Sequence, residues 1–258
     1  MSSPCLRTRT SGWVYDHWEG IFYPVNLKNK DKLKYFSQQF KTTEVNYSFY
    51  HLPRATTYQN WYKMTPKGFV FAVKVSRLIT HIKKLKGVET SWKVFLENAV
   101  NLKEKLGPFL FQFPPSFKAT RENIKRLEKF SNFIRKNSCS NSRKLMDPRL
   151  ACEFRHKSWC DNEIYNILKK YNIAWVVADS PSFPKEEKIT ANFAYVRMHG
   201  SRILFSSKYT DKELKDLAQK IKEWLKQYLD VYIYFNNDTQ GFAVLNAKRL
   251  LALCENRK

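Results

Sequence analysis

The chain has 258 residues, of which 16% are aromatic and only seven are glycine, so it is neither a disordered segment nor a collagen-like repeat. Its 46 lysines and arginines outnumber 23 acidic residues, and the resulting formal net charge of +23 favours anionic partners. No apolar run approaches the ~20 residues that a membrane helix needs, so we expect a protein that does not associate with membranes.

Short apolar or β-branched runs recur along the chain, and most are followed by a longer stretch with helical spacing. The predicted strands cover residues 5–12, 43–46, 69–75, 109–113, 151–155, 174–179, 194–200 and 230–237. The predicted helices cover 31–40, 55–64, a run from about 90 that Gly107-Pro108 ends, 120–137, 160–171, a run to 229 opened by the capping box Thr210-Asp-Lys-Glu213, and 241–256. Between 179 and 194 two prolines and the absence of a helical face predict an irregular crossover.

Strand–helix alternation indicates parallel strands, and eight right-handed units most simply close into a (β/α)8 barrel. A doubly wound open sheet is the alternative, but its usual glycine-rich phosphate turn does not occur in this sequence. No linker-like segment divides the chain, so we predict one domain over residues 1–258.

Polar residues gather where the predicted strands end, which is the active-site face of such barrels. Because residues two apart share a face of a strand, we expect a set of them to point inward. The set comprises Glu44, Asn46, Lys74, Gln112, Glu153, Arg155, Asp179, Arg197, His199, Asn236 and Asp238, with Asn237 between the last two. Within the predicted strands themselves, three carboxylates (Glu44, Glu153, Asp179) balance three cations (Lys74, Arg155, Arg197).

Two interpretations of this cluster remain open: an ion network that only rigidifies the mouth, or a site for proton chemistry that holds an anion. In the second, Glu153 or Asp179 is the general base and His199 its acid–base partner, while the three cations hold the anion. A mixed metal site of His199, Glu153, Asp179 and Glu44 is an alternative, but no His-x-x-x-His spacing supports it. The sequence therefore names no metal, no cofactor and no oligomeric state, and does not decide whether the protein is an enzyme.

The loop after the fifth strand adds His156 and Trp159 as candidate substrate-binding residues. Aromatic side chains crowd the same predicted face, chiefly in the first two loops, and could stack on bases or sugars. For most of these rings, packing over the barrel core is the preferred interpretation.

Several motifs in matching order resemble the YecE-like family, also called domain of unknown function 72. They are SGWVYDHWEGIFYP (11–24), EVNYSFY (44–50), FAVK (71–74) with ITH (79–81), LFQFPPSF (110–117), EFRHKSW (153–159), ADS (178–180), YVRMHG (195–200) and YFNND (234–238). The resemblance runs essentially from end to end and implies a TIM-type barrel, but it implies no reaction. Tyr47, Ser48 and Arg9 depart from the residues usual in the family.

Three functions follow as hypotheses. The first is binding or hydrolysis of a nucleic acid or phosphorylated small molecule, because the loop 74–86 carries Lys74, Arg77, Lys83, Lys84 and Lys86 and no acidic residue. The second is an enzyme acting on a sugar or polyol through the amides and carboxylates of the mouth. The third is a nucleic-acid-binding protein without turnover that uses the basic stretch 118–144, for which a solvated helix surface is the preferred interpretation.

Cysteine usage bears on the cellular compartment. The five cysteines are an odd number and form no Cys-x-x-Cys pair, which argues against a disulfide framework and a zinc ribbon. The amino terminus has no apolar signal core. We therefore expect a cytoplasmic protein.

Overall fold

The computed structural model describes residues 4–138, 148–227 and 229–255. Its strands are β1 (Leu6–Thr10), β2 (Thr42–Val45), β3 (Val70–Lys74), β4 (Leu106–Gln112), β5 (Leu150–Glu153), β6 (Ile173–Asp179), β7 (Phe193–Met198) and β8 (Asp230–Phe235). All adjacent pairs are parallel, in the order β1-β8-β7-β6-β5-β4-β3-β2. The predicted eight-stranded barrel is confirmed.

The helices lie between the strands. They are α1 (Asn29–Gln39), α2 (Tyr47–Tyr50), α3 (Ala55–Met64), α4 (Glu89–Ala99), α5 (Arg121–Ser138), α6 (Asn162–Lys170), α7 (Asp211–Lys226) and α8 (Phe242–Glu255). Single turns of 3-10 helix lie at Asp16–Trp18, Lys157–Trp159 and Thr239–Gly241, an irregular helical segment at Val100–Lys105, and a π-helical turn at Leu78–Ile82. The capping box of Thr210 and Glu213 opens α7 as predicted, and residues 180–192 form no helix, so the irregular crossover is also confirmed.

Among the described residues, backbone pairing closes the barrel between β1 and β2 only at its C-terminal end, while lower down the hydroxyl of Thr43 donates to the carbonyl oxygen of Thr10 at 3.3 Å. Ser11 forms an isolated parallel bridge with Glu44, and the N–H of Gly12 donates to the carbonyl oxygen of Glu44 at 2.8 Å. The two strands are not otherwise paired as a ladder. Within the described residues the barrel is therefore nearly closed, and the closing contact lies at its C-terminal end.

Side-chain alternation separates the inside of the barrel from the helix layer. The inner core contains small and aromatic side chains: Ala72, Leu110, Ala151, Ala174, Val176, Phe193, Tyr195, Tyr232 and Tyr234. Larger apolar clusters lie between the strands and the helices. Residues two positions beyond the inner ones, such as Lys74, Gln112, Glu153 and Arg197, therefore point into the upper end of the barrel.

None of the helices in the described part of the chain combines the length and apolar character that a membrane span requires. The four cysteines within that part, Cys5, Cys152, Cys160 and Cys254, are free thiols. Part of the basic stretch 118–144, including Arg143 and Lys144, lies outside the described residues.

Candidate functional site

Arg197 is the centre of a buried ion network at the C-terminal mouth of the barrel. It lies near the end of β7 and is 1% exposed. Its Nη1 donates to Oε2 of Glu153 at 2.6 Å, and its Nη2 donates to Oε1 of Glu44 at 2.7 Å. One guanidinium thus joins carboxylates from β2 and β5 across the barrel.

Each of the two carboxylates has further donors. Glu44 accepts a hydrogen bond from the hydroxyl of Tyr195 at 2.7 Å and another from the hydroxyl of Ser11. The amide of Asn46 donates in turn to the Ser11 hydroxyl at 2.7 Å. This satisfaction of the Glu44 oxygens explains how a carboxylate can be fully buried.

Glu153 is bound on both of its oxygens. Besides Arg197, it accepts a hydrogen bond from Nε of Arg155 at 2.7 Å. Burial by itself would raise the pKa of Glu153, but Arg197 and then Arg155 outweigh burial and hold this pKa well below its ordinary value. A carboxylate with so low a pKa is a weak base, so Glu153 is better suited to anchoring cations than to accepting a substrate proton.

Arg155 has donors to spare. Its guanidinium lies over the Phe183 ring at 4.1 Å, and its side chain remains 16% exposed. In the described part of the chain its two Nη groups make no hydrogen bond or ion pair. Arg155 can therefore bind a further anion without leaving Glu153.

Lys74 is the remaining cation of the mouth. It ends β3, is 8% exposed, and places its ammonium 4.1 Å from the centre of the Phe49 ring. No carboxylate of the described residues lies within 4 Å of its Nζ. Burial, followed by the charge of Arg197, lowers the pKa of Lys74 from 10.5 to about 7.

His81 lies beside Lys74, in the π-helical turn that follows β3. The amide of Gln112 donates to its Nε2 at 3.3 Å, and its Nδ1 lies 2.9 Å from the hydroxyl of Thr80. Burial and then the charge of Lys74 lower the pKa of His81 to about 4, so the ring is neutral at neutral pH. Sequence reasoning placed His81 in a top loop but not in the site.

His199 is fully buried behind the network. Its Nδ1 accepts a hydrogen bond from the amide of Asn236 at 3.2 Å, and its Nε2 lies 3.4 Å from Oε2 of Glu153. The rings of Phe183 and Phe205 lie near it at 5.6 and 5.5 Å. Burial lowers the pKa of His199.

The prediction that Asp179 points into the mouth is wrong. Ala174 and Val176 of β6 belong to the inner core, whereas Val177 packs in the outer cluster with Tyr209, and Asp179 shares the face of Val177. Its carboxylate instead pairs with Lys185 of the crossover at 2.8 Å. Of the six charged residues counted within the strands, Glu44, Glu153, Lys74, Arg155 and Arg197 therefore remain at the mouth.

Three other predicted residues have contacts of their own away from the network. Trp159 is fully buried, stacks on Phe154 at 4.3 Å and donates to the carbonyl oxygen of Phe117. His156 caps the turn that follows it by accepting from the N–H of Ser158. Asn237 is also fully buried, and its amide donates to the carbonyl oxygen of Ser207 and to Asn246.

Asp238 belongs to a cleft of about 580 Å³ lined by Tyr15, His17, Phe205, Asn236, Asp238, Thr239 and Gln240. Its carboxylate accepts from the indole N–H of Trp18 at 2.9 Å, and Nε2 of His17 lies 3.2 Å from its Oδ2. Burial raises the pKa of Asp238 to about 6, although Trp18 and His17 oppose the shift.

The basic stretches differ in how far their charges are paired. In the loop 74–86, Arg77, Lys83 and Lys86 are exposed, and Lys84 donates to Ser116. On α5, Arg126 pairs with Glu122 and Lys129 lies 3.9 Å from Glu89.

Across the described residues no three His, Cys, Asp or Glu side chains gather as a metal site would require.

Comparison with known proteins finds relatives over the whole length. The family model described as "Protein of unknown function DUF72" matches residues 7–258. The UPF0759 protein YunF of Bacillus subtilis is 29% identical over 276 residues, which cover 95% of this chain and 93% of YunF.

Solved structures give the same match. A DUF72 family protein from Thermotoga maritima superposes with a TM-score of 0.84 at 30% identity, covering 98% of this chain and all of that one (100%). A DUF72 family protein from Enterococcus faecalis superposes with a TM-score of 0.80 at 20% identity, covering 98% and 96% of the two chains.

Proposed function

This chain belongs to the DUF72 family of proteins of unknown function, as its motifs indicated, and we propose that it binds a phosphorylated small molecule at the mouth of the barrel. The observation that carries the proposal is a pair of basic groups at the mouth that the ion network leaves unused. The two Nη groups of Arg155 make no hydrogen bond or ion pair within the described residues, and the Lys74 amine has no carboxylate partner there. An anion is the ligand that the free donors of Arg155 are suited to bind.

The five charged residues that remain at the mouth divide into a framework and a ligand-facing part. Glu44, Arg197 and Glu153 satisfy one another through direct ion pairs, which supports the interpretation that they rigidify the mouth. Arg155 and Lys74 are the cations with unused donors or without a carboxylate partner among the described residues. We assign the phosphate group to Arg155, with the Lys74 amine beside it.

The buried position of the cations favours a small molecule over a nucleic acid. A nucleic-acid duplex is bound mainly by exposed lysines and arginines along its backbone. Here Lys74 is 8% exposed and the side chain of Arg155 is 16% exposed, so only a compact anion reaches both. The exposed Arg77, Lys83 and Lys86 would draw such an anion toward the mouth.

Calorimetric titration with glycerol phosphate and with glycerol tests the proposal and separates it from the sugar or polyol hypothesis. We expect the phosphate ester to bind, glycerol not to bind, and the affinity to weaken as salt rises. Arg155→Met should weaken binding by roughly tenfold or more, because a charge-assisted hydrogen bond is lost. Lys125→Met, on the exposed face of α5, is the matched control and should leave affinity unchanged.

Two results would contradict the proposal. Equal binding of glycerol and glycerol phosphate would favour the polyol hypothesis. Binding of a short RNA that Lys125→Met weakens and Arg155→Met does not would assign the function to the outer helix instead.

A further inference from the structure

Lys74 has a chemistry that anion binding alone does not use. Among the three cations of the mouth, Arg155 and Arg197 are fixed by carboxylates, whereas the Lys74 amine contacts the face of Phe49 and no carboxylate of the described residues. A lysine held among apolar surface and other cations is the arrangement that frees an amine to act as a nucleophile. We propose that the Lys74 amine forms an imine with the carbonyl group of a phosphate-bearing aldehyde or ketone.

The amine is buried but accessible. Nζ of Lys74 is not among the side-chain atoms of the described residues that are both sealed from solvent and without a hydrogen-bond partner. It makes no hydrogen bond within that part of the chain either, so the nitrogen keeps some solvent-accessible surface. Because the amine takes no part in the ion pairs of Glu44, Arg197 and Glu153, a reaction at this nitrogen leaves that network intact.

The electrostatic environment supports the same assignment. Burial and the neighbouring Arg197 bring the pKa of Lys74 to about 7, so a large part of the amine is unprotonated at neutral pH. Arg155 and the neutral His81 also lie near the amine. Glu44 and Glu153 favour the charged amine less strongly than burial and Arg197 disfavour it.

The reaction balances without a further reactant. The amine lone pair attacks the carbonyl carbon, a carbon–nitrogen bond forms, and the carbonyl oxygen becomes a hydroxyl group. That oxygen then leaves as water, whose two hydrogens come from the amine, and a carbon–nitrogen double bond remains. Nothing is oxidised or reduced. The inference rests on the proposed function for the phosphate, which Arg155 would hold beside the amine.

Borohydride trapping with pyridoxal phosphate tests the inference on the full-length protein. The aldehyde forms an imine with a reactive lysine, borohydride reduces the imine to a stable secondary amine, and peptide mass spectrometry locates it. Pyridoxal, which lacks the phosphate, is the matched probe. Pyridoxal reacts more slowly with every lysine because it closes to an internal hemiacetal, so the two lysines are compared by their rate ratios. We expect the ratio of labelling by pyridoxal phosphate to labelling by pyridoxal to be roughly tenfold or more higher at Lys74 than at Lys125, the exposed control.

The pH dependence gives an independent readout. Labelling of Lys74 should reach its half-maximum near the pKa of about 7, well below the range near 10.4 in which lysine amines ordinarily lose their proton. Lys74→Arg should abolish the adduct at this position while the variant still unfolds cooperatively.

The outcomes separate the two proposals. If Lys74 stays unlabelled while glycerol phosphate still binds in an Arg155-dependent manner, the imine is refuted and the proposed function stands. If neither glycerol phosphate nor pyridoxal phosphate binds, both the proposed function and the imine are refuted. If the rate ratio at Lys74 is no higher than at Lys125, the phosphate does not direct the carbonyl and the inference is overturned in that respect.

Discussion

Removing the Arg197 guanidinium tests whether the mouth is a coupled ion network. Arg197→Met keeps most of the side-chain volume but withdraws two hydrogen bonds, of 2.6 Å to Glu153 and 2.7 Å to Glu44. Both carboxylates are buried, and breaking one buried ion pair typically costs about 3–5 kcal/mol. Glu153 keeps Arg155, and Glu44 keeps Ser11 and Tyr195, so we expect a loss of about 5 kcal/mol in the free energy of unfolding rather than twice that.

The loss should depend on pH with a definite sign. The pKa of Glu153 in the folded protein is held below its ordinary value, so its stabilising contribution is present above that value and is lost as the pH falls through the folded pKa. In the variant, Glu153 loses the charge that most strongly lowers its pKa, so it can take up a proton on acidification and relieve the cost of its burial. The difference in the free energy of unfolding between wild type and variant should therefore be largest at about pH 7 and smaller at about pH 4.

Urea unfolding followed by tryptophan fluorescence at the two pH values measures the effect. Arg249→Met, which removes an exposed arginine paired with Asp211, is the matched control and should have a much smaller effect. Adding Glu44→Gln to Arg197→Met removes one stranded carboxylate and should restore part of the stability. A loss of the same size at both pH values, or no recovery in the double variant, would refute a coupled network of charges.

Three further predictions concern single side chains. Lys74→Met should raise the free energy of unfolding by up to about 4 kcal/mol below about pH 7, because the buried amine is charged there. Urea unfolding should show that this stabilisation disappears as the pH rises toward 10.5. Asp179→Asn should leave the affinity for glycerol phosphate unchanged in calorimetry, because this carboxylate points away from the mouth, and a marked loss would return it to the site. Asp238→Asn should have a higher thermal midpoint than wild type, and this difference should grow as the pH rises from 3.8 to about 6, because the folded state resists ionisation of Asp238. A difference in thermal midpoint that does not change with pH would contradict the raised pKa.

The inward orientation of most mouth residues could be predicted because their strands alternate. In β5, Glu153 is separated from the inner residue Ala151 by one outward residue, and in β7 the same spacing links Tyr195 to Arg197. In β6 the run Ile173–Asp179 is apolar until its last residue, so no alternation indicates which face Asp179 takes. A strand buried on both faces thus conceals the orientation of its terminal charge.

His81 was missed for a different reason. It belongs neither to a strand nor to a regular helix but to the π-helical turn Leu78–Ile82, and a π-helical turn has no simple periodic signature in sequence. The signal in the sequence was the motif Ile79-Thr-His81, one of the segments that resemble the family. Contacts made by loop turns, including the cleft around Asp238, depend on how separate loops pack together and could not be read from local patterns.

Because β1 and β2 pair through their backbones only where Ser11 meets Glu44, the two ends of the barrel should differ in rigidity. At the mouth Glu44 serves at once as the backbone clasp and as the partner of Arg197. Below it the facing edges have no ladder, and the buried guanidinium of Arg9 lies over the Phe40 ring at 4.5 Å near this seam. Local opening of the barrel should therefore begin at the end opposite the mouth, and the mouth should be its least deformable part.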